Sequence, residues 1–140
     1  MNSPTAPHSN ARPARISRLL KDWGLGLLLV GLVFAAFGDS LHYGFLNWDD
    51  IIYIRDYPEV SAGLSWRGFG WAWTHAHYSN WHPLTTLSFM LDTTLFGKDG
   101  TKFHWHNVIL HSGATLFLFL ALKRMTGATW KSAAASALFA

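Results

Sequence analysis

The sequence contains no cysteine. A disulfide scaffold and a cysteine-based zinc site are therefore excluded. Charge is the next shortage. Only 14% of residues are Asp, Glu, Lys or Arg, against about 25% in a soluble domain. The deficit is concentrated in two long windows, which speaks against an ordinary soluble surface. A Gly-rich phosphate loop, a G-x-S-x-G elbow and an H-E-x-x-H pair are also missing. No nucleotide cofactor, serine hydrolase or zincin is expected on that account. The net charge of +3 does not come from a basic stripe with interleaved aromatics, so no nucleic-acid partner is expected.

Apolar and aromatic residues take the place of charge. Residues 23–38 read WGLGLLLVGLVFAAFG. Leu19 and Leu20 extend this window, with Lys21 snorkelling toward the headgroups. Residues 19–38 thus suit a first transmembrane helix, given a rise of about 1.5 Å per residue and a bilayer core about 30 Å thick. A cleaved signal peptide is the rival, with Ala36-Phe37-Gly38 as its processing site. Its charged region would be long and its apolar region at the upper limit, which favours an uncleaved anchor. A second window, residues 104–122, is closed by Lys123-Arg124. Residues 123–129 read as a turn, and 130–140 as the start of a third span. KSAAASALFA has neither cap nor breaker, so the chain is expected to be the front of a longer protein.

Arg12, Arg15, Arg18 and Lys21 precede the first span, and Lys123-Arg124 follows the second. That bias places both ends of the pair in the cytoplasm and the loop 39–103 outside. The expected protein is a multi-pass integral membrane protein, in the plasma (inner) membrane if bacterial. Its first 18 residues, rich in Pro, Ser, Asn, Ala and Arg, read as a disordered cytoplasmic tail. The expected fold class is all-α: two complete transmembrane helices, the start of a third, and an external loop with interfacial helices.

That loop is rich in tryptophan, a residue suited to a surface that is apolar on one side and wet on the other. Residues 45–54 fit either an extended piece or a helix start, and periodicity leaves both open. Pro83 fits the first turn of a helix and Gly97 its stop, which outlines an interfacial helix at about 83–96.

Two groups of residues could carry chemistry. Asp49 and Asp50 adjoin Trp48. Adjacent side chains diverge by about 100° on a helix and point oppositely on a strand. One carboxylate can therefore face a substrate as a general base while the other holds a backbone N–H or a cation. An ordinary helix cap or turn acid fits the same pair. The histidines cluster at His75, His77 and His82, then at His104, His106 and His111. Imidazole is a common metal ligand, but these positions lack a recognised ligand spacing. Asn107 and His111 share a helix face and should meet protein or a wet cavity rather than lipid.

In order, the segments FLNWDDIIYI (45–54), WHPLTTLSFMLDTTLFG (81–97) and FHWHNVILH (103–111) follow a membrane span. This arrangement resembles the start of GT-C glycosyltransferases. It is most similar to the branch of transmembrane and tetratricopeptide-repeat protein O-mannosyltransferases and their bacterial relatives. The resemblance covers about residues 20–140. It implies transfer of a sugar, with inversion, from a polyprenyl-phosphate carrier to a hydroxyl on a protein or glycan. Asp49 would be the base and Asp50 its orienting partner. His82 and Asp92 would serve substrate binding, although only one proline follows His82 where relatives have two. Trp48, Trp81, Asn107 and His111 would shape the groove. Some members use a divalent cation and others do not, so the metal question stays open. Because relatives carry many more spans, the resemblance also implies that these residues alone are inactive. Two other readings fit the composition. One is a non-enzymatic small membrane protein whose aromatic loop binds a partner. The other is a His-based metal or haem membrane protein.

Overall fold

The computed structural model describes residues 11–77 and 79–140, with side chains from Ile16 onward except Arg18. Its named elements are all helical. They are α1 (Ala11–Phe37), a 3-10 turn (Gly38–His42), a π-helical turn (Ile51–Arg55), α2 (Pro58–Ser61), α3 (Trp66–Thr74), α4 (Pro83–Phe96), α5 (Gly100–Thr126) and α6 (Thr129–Phe139). Extended pairing among the described residues is confined to one bridge between His77 and Asn80. The all-α expectation holds.

Helices α1 and α5 have 27 residues each, about 40 Å at the α-helical rise. They supply two segments long and apolar enough to cross a bilayer, Leu19–His42 and Gly100–Thr126. The helix that crosses a soluble core hides its apolar residues. Here Leu27 is 71% exposed and Phe117 77%, an arrangement that suits lipid rather than water. The disordered tail expected over residues 1–18 needs correction. Residues 1–10 lie outside the described residues, but the chain is helical from Ala11. Pro13 is tolerated because it falls in the first turn, where its N–H is not needed, and Ala, Arg and Leu are good helix formers.

The described chain divides into two compact units. One comprises the residues up to Ala35 with His111–Ala140, and the other Ala36–Leu110. In the first, Leu25, Leu29, Phe119 and Ala133 form the core, and Ala137 packs against it. Leu25, Leu29 and Val33 recur every four residues and are all buried, which gives α1 one inward stripe. Helix α6 contributes small residues, the buried Ser132, Ala133 and Ser136, so its backbone can approach closely. Asp22 pairs with Lys123, and the Lys21 ammonium lies 4.5 Å from the centre of the Trp130 ring. Each of these three charges beside an apolar window therefore has a partner, which lowers the cost of holding it near lipid.

In the second unit, α2 and α3 both pack against α4. The Ser65 hydroxyl caps α3 by accepting the Gly68 N–H at 3.0 Å. Pro83 opens α4, and Gly97 closes it at φ 66°. The Leu64 N–H donates to Thr94 Oγ1 at 2.7 Å, tying the segment before α3 to the end of α4. Helix α5 begins where Gly100 lies against the backbone of Gly44 and Phe45. A Cβ on Gly100 would come within 2.5 Å of the Phe45 nitrogen. Neither backbone can yield cheaply, so Gly100→Ala is expected to destabilise this unit by about 1–3 kcal/mol. Thermal unfolding followed by tryptophan fluorescence in detergent would register the loss.

Candidate functional site

The chain leaves the 3-10 turn without regular structure through residues 43–46 and becomes helical at Asp49, two residues before the π-helical turn. The segment 45–54 is thus the start of a helix rather than a strand. Its two acids differ. Asp50 is half-buried, and its Oδ2 accepts the Leu46 N–H at 2.8 Å. It fastens the bend. Asp49 is exposed and has no hydrogen-bond or ion-pair partner among the described residues. Trp48 beside it is 79% exposed. One acid of the pair is therefore structural in its contacts and the other is open to solvent.

His82 precedes α4 as its N-cap, without a capping side-chain bond. Its ring lies 5.6 Å from Tyr53 and 5.9 Å from His77. His77, one of the clustered histidines, is the most enclosed of these rings, at 1% exposure. Tyr57 stands 4.1 Å from it at right angles, with Tyr53 at 4.8 Å and Trp71 at 5.8 Å. His77 Nδ1 meets Thr86 Oγ1 at 3.3 Å, while Nε2 is buried without a partner. Burial, and then the neighbouring His82, lower its pKa to about 4.

An acid-stability prediction follows for His77. The unfolded chain takes up a proton near pH 6.5 and the folded chain only near pH 4. Protons therefore favour unfolding as the pH falls through that window. The loss at pH 4 relative to pH 7 should be on the order of 2–3 kcal/mol. His77→Phe keeps a ring and should remove that share of the pH dependence in denaturation curves.

Asp92 is 1% exposed and pairs through Oδ1 with Nδ1 of His106 from α5. Burial raises the Asp92 pKa, and His106 opposes that rise. Oδ2 has no hydrogen-bond partner among the described residues. His106 also lines an apolar groove of about 490 Å³ with Leu64, Phe69, Leu84, Leu87, Ser88, Leu91 and Leu110. Sequence spacing did not reveal this pair, because its members sit on different helices.

The remaining site residues are spread out. The indole N–H of Trp81, a 62% exposed residue, donates to the Trp73 carbonyl at 3.1 Å. His111 contacts the Ala140 carbonyl at 3.3 Å and the Phe139 ring at 4.9 Å. It therefore meets protein, as its polarity requires. Asn107 is exposed. It lies about 100° round the helix from the buried Val108. Among the described residues no hydrogen bond, ion pair or ring contact joins Asp49 or Asp50 to His82 or Asp92. Nor are three His, Cys, Asp or Glu side chains gathered there as a metal site.

The chain is an all-helical integral membrane protein similar to membrane glycosyltransferases. It is a homologue of the protein O-mannosyl-transferases, the branch its motifs resemble. It is 38% identical over 104 residues to Protein O-mannosyl-transferase TMTC1 of Mus musculus, covering 68% of this chain and 11% of that protein. The human TMTC1 is 36% identical over 104 residues, covering 68% and 12%. Protein O-mannosyl-transferase Tmtc2 of Drosophila melanogaster is 31% identical over 122 residues, covering 81% and 13%. The chain thus spans about an eighth of the length of these relatives. No family model matches it, and no solved structure matches it.

Proposed function

We propose that this chain is part of a membrane glycosyltransferase that moves a mannosyl group from a polyprenyl-phosphate donor to a protein hydroxyl. The observation that carries the reading is the division of labour in the acidic pair. Asp50 is fastened to Leu46, and Asp49 stands free beside an exposed tryptophan. The donor already has a phosphate leaving group, so the enzyme needs a base and charge stabilisation more than a nucleophile. Asp49 accepts the acceptor's proton as its oxygen attacks the anomeric carbon, and the configuration inverts. His82 serves the donor side, since α4 opens there with uncapped N–H groups that favour an anion. Asp92 is buried and reaches a substrate only through His106. The loop with these residues faces the side away from the cytoplasm, opposite Lys123-Arg124. The similarity to named O-mannosyl-transferases supports the sugar and the acceptor class.

The test uses membranes carrying the protein in its full reading frame. Labelled mannose should pass from polyprenyl-phosphate mannose to a Ser/Thr-containing peptide. Transfer from a sugar nucleotide in the absence of polyprenyl phosphate would overturn the reading.

A further inference from the structure

Charge is unevenly shared between the two units. In the first, every Lys and Arg falls within residues 12–21 or 123–131, and Asp22 is the only acid. In the second, acids outnumber cations. Two contacts bring the basic segments of the first unit together. Asp22 pairs with Lys123, and the Lys21 ammonium stands 4.5 Å from the centre of the Trp130 ring. The turn from α5 to α6 is itself fixed. Gly127 takes φ 66°, its N–H donates to the Lys123 carbonyl at 2.9 Å, and Thr126 Oγ1 meets Ser132 Oγ at 3.4 Å. Asp22 neutralises Lys123, but an aromatic ring leaves the charge of Lys21 in place. Arg124 and Lys131 are exposed and have no ion-pair partner among the described residues. Lys21, Arg124 and Lys131 are therefore uncompensated at one end of this unit. Leu20, Met125 and Trp130 are exposed among them. A nucleic acid or an acidic protein would answer the charge and leave those apolar side chains in water. A phospholipid of negative charge answers both.

We infer that this end of the first unit is a docking surface for phospholipids of net negative charge, with the headgroup phosphate on Arg124 and Lys131, the Trp130 ring at headgroup level and the acyl chains against the exposed apolar side chains of α1. An indole suits that depth because one edge is apolar and the other carries an N–H. The topology expected from the Lys/Arg bias turns this end toward the cytoplasmic leaflet, whose lipids are the anionic ones. The sugar donor is a different ligand, assigned above to His82 in the other unit, so the inference does not depend on the transfer reaction.

The probes are phosphatidylglycerol and phosphatidylcholine with the same acyl chains, mixed in one nanodisc around the purified full-length protein. Native mass spectrometry counts the lipids of each kind that the protein retains. Phosphatidylglycerol should be retained in preference, and added salt should weaken that preference. Arg124→Gln combined with Lys131→Gln should reduce it by about fivefold per cation, on the order of 25-fold in all. Because loss of cations can disturb insertion, the charge-preserving pair Arg124→Lys with Lys131→Arg is measured beside it and should keep the preference. Arg67→Gln with Lys98→Gln, two exposed cations of the second unit, should also leave it unchanged. Equal retention of the two lipids, or a preference that survives Arg124→Gln with Lys131→Gln, would overturn the surface. An equal loss in the Arg67 and Lys98 variant would reduce it to net charge. Displacement of the lipid by equimolar glycerol phosphate would make it a site for phosphate rather than for lipid. Salt-sensitive binding of RNA that outcompetes phosphatidylglycerol would assign it to nucleic acid and overturn the inference.

Discussion

Asp49→Asn is expected to lower mannosyl transfer by about 100- to 10,000-fold, the range typical of a lost general base. The amide keeps the size and shape of the carboxylate but cannot take a proton at neutral pH. The side chain is exposed and holds no hydrogen bond, so the fold should be untouched and expression unchanged. Asp50 predicts a different pattern. Its Oδ2 accepts the Leu46 N–H, and the Asn side-chain oxygen can do the same. Asp50→Asn should therefore retain much of the activity, whereas Asp50→Ala releases the bend and should cost more. Initial rates at saturating donor, compared with KM for the acceptor peptide, separate the cases. A base acts on kcat, and a loosened loop raises KM as well. If Asp49→Asn left transfer unchanged while Asp50→Asn abolished it, the roles of the pair would be exchanged.

Local constraints account for the features that are legible in the sequence. The charge-free windows announce the spans because a charge in lipid is costly wherever it sits. Pro83 and Gly97 delimit α4 because their backbone constraints act on their own positions. What stayed hidden depends on contacts between segments. Asp50 reaches back four residues to an N–H that no spacing rule marks. His77 looks like an ordinary loop histidine until Tyr53, Tyr57 and Trp71 close around it. Spacing puts Asn107 and His111 on one face but does not decide which way that face turns. Only the packing of Val108, Ser112, Thr115 and Phe119, all buried, does so.

The Asp92–His106 pair should show the second large effect, on stability. His106→Ala leaves a carboxylate that is 1% exposed with no partner on either oxygen. Removing one member of a buried pair typically costs about 3–5 kcal/mol. Part of that cost can be relieved by protonation, because burial already raises the Asp92 pKa. The folded variant therefore binds a proton more readily than the unfolded chain. Its stability should rise as the pH falls, and the deficit against the native protein should shrink with it. Asp92→Leu combined with His106→Phe removes both polar partners and fills the space, so it should recover most of the loss. The two single variants and the double variant form a thermodynamic cycle readable by denaturation in detergent micelles. A coupling near zero would mean that the two side chains are neighbours without being partners. A large coupling that is insensitive to pH would mean that Asp92 stays ionised even when alone.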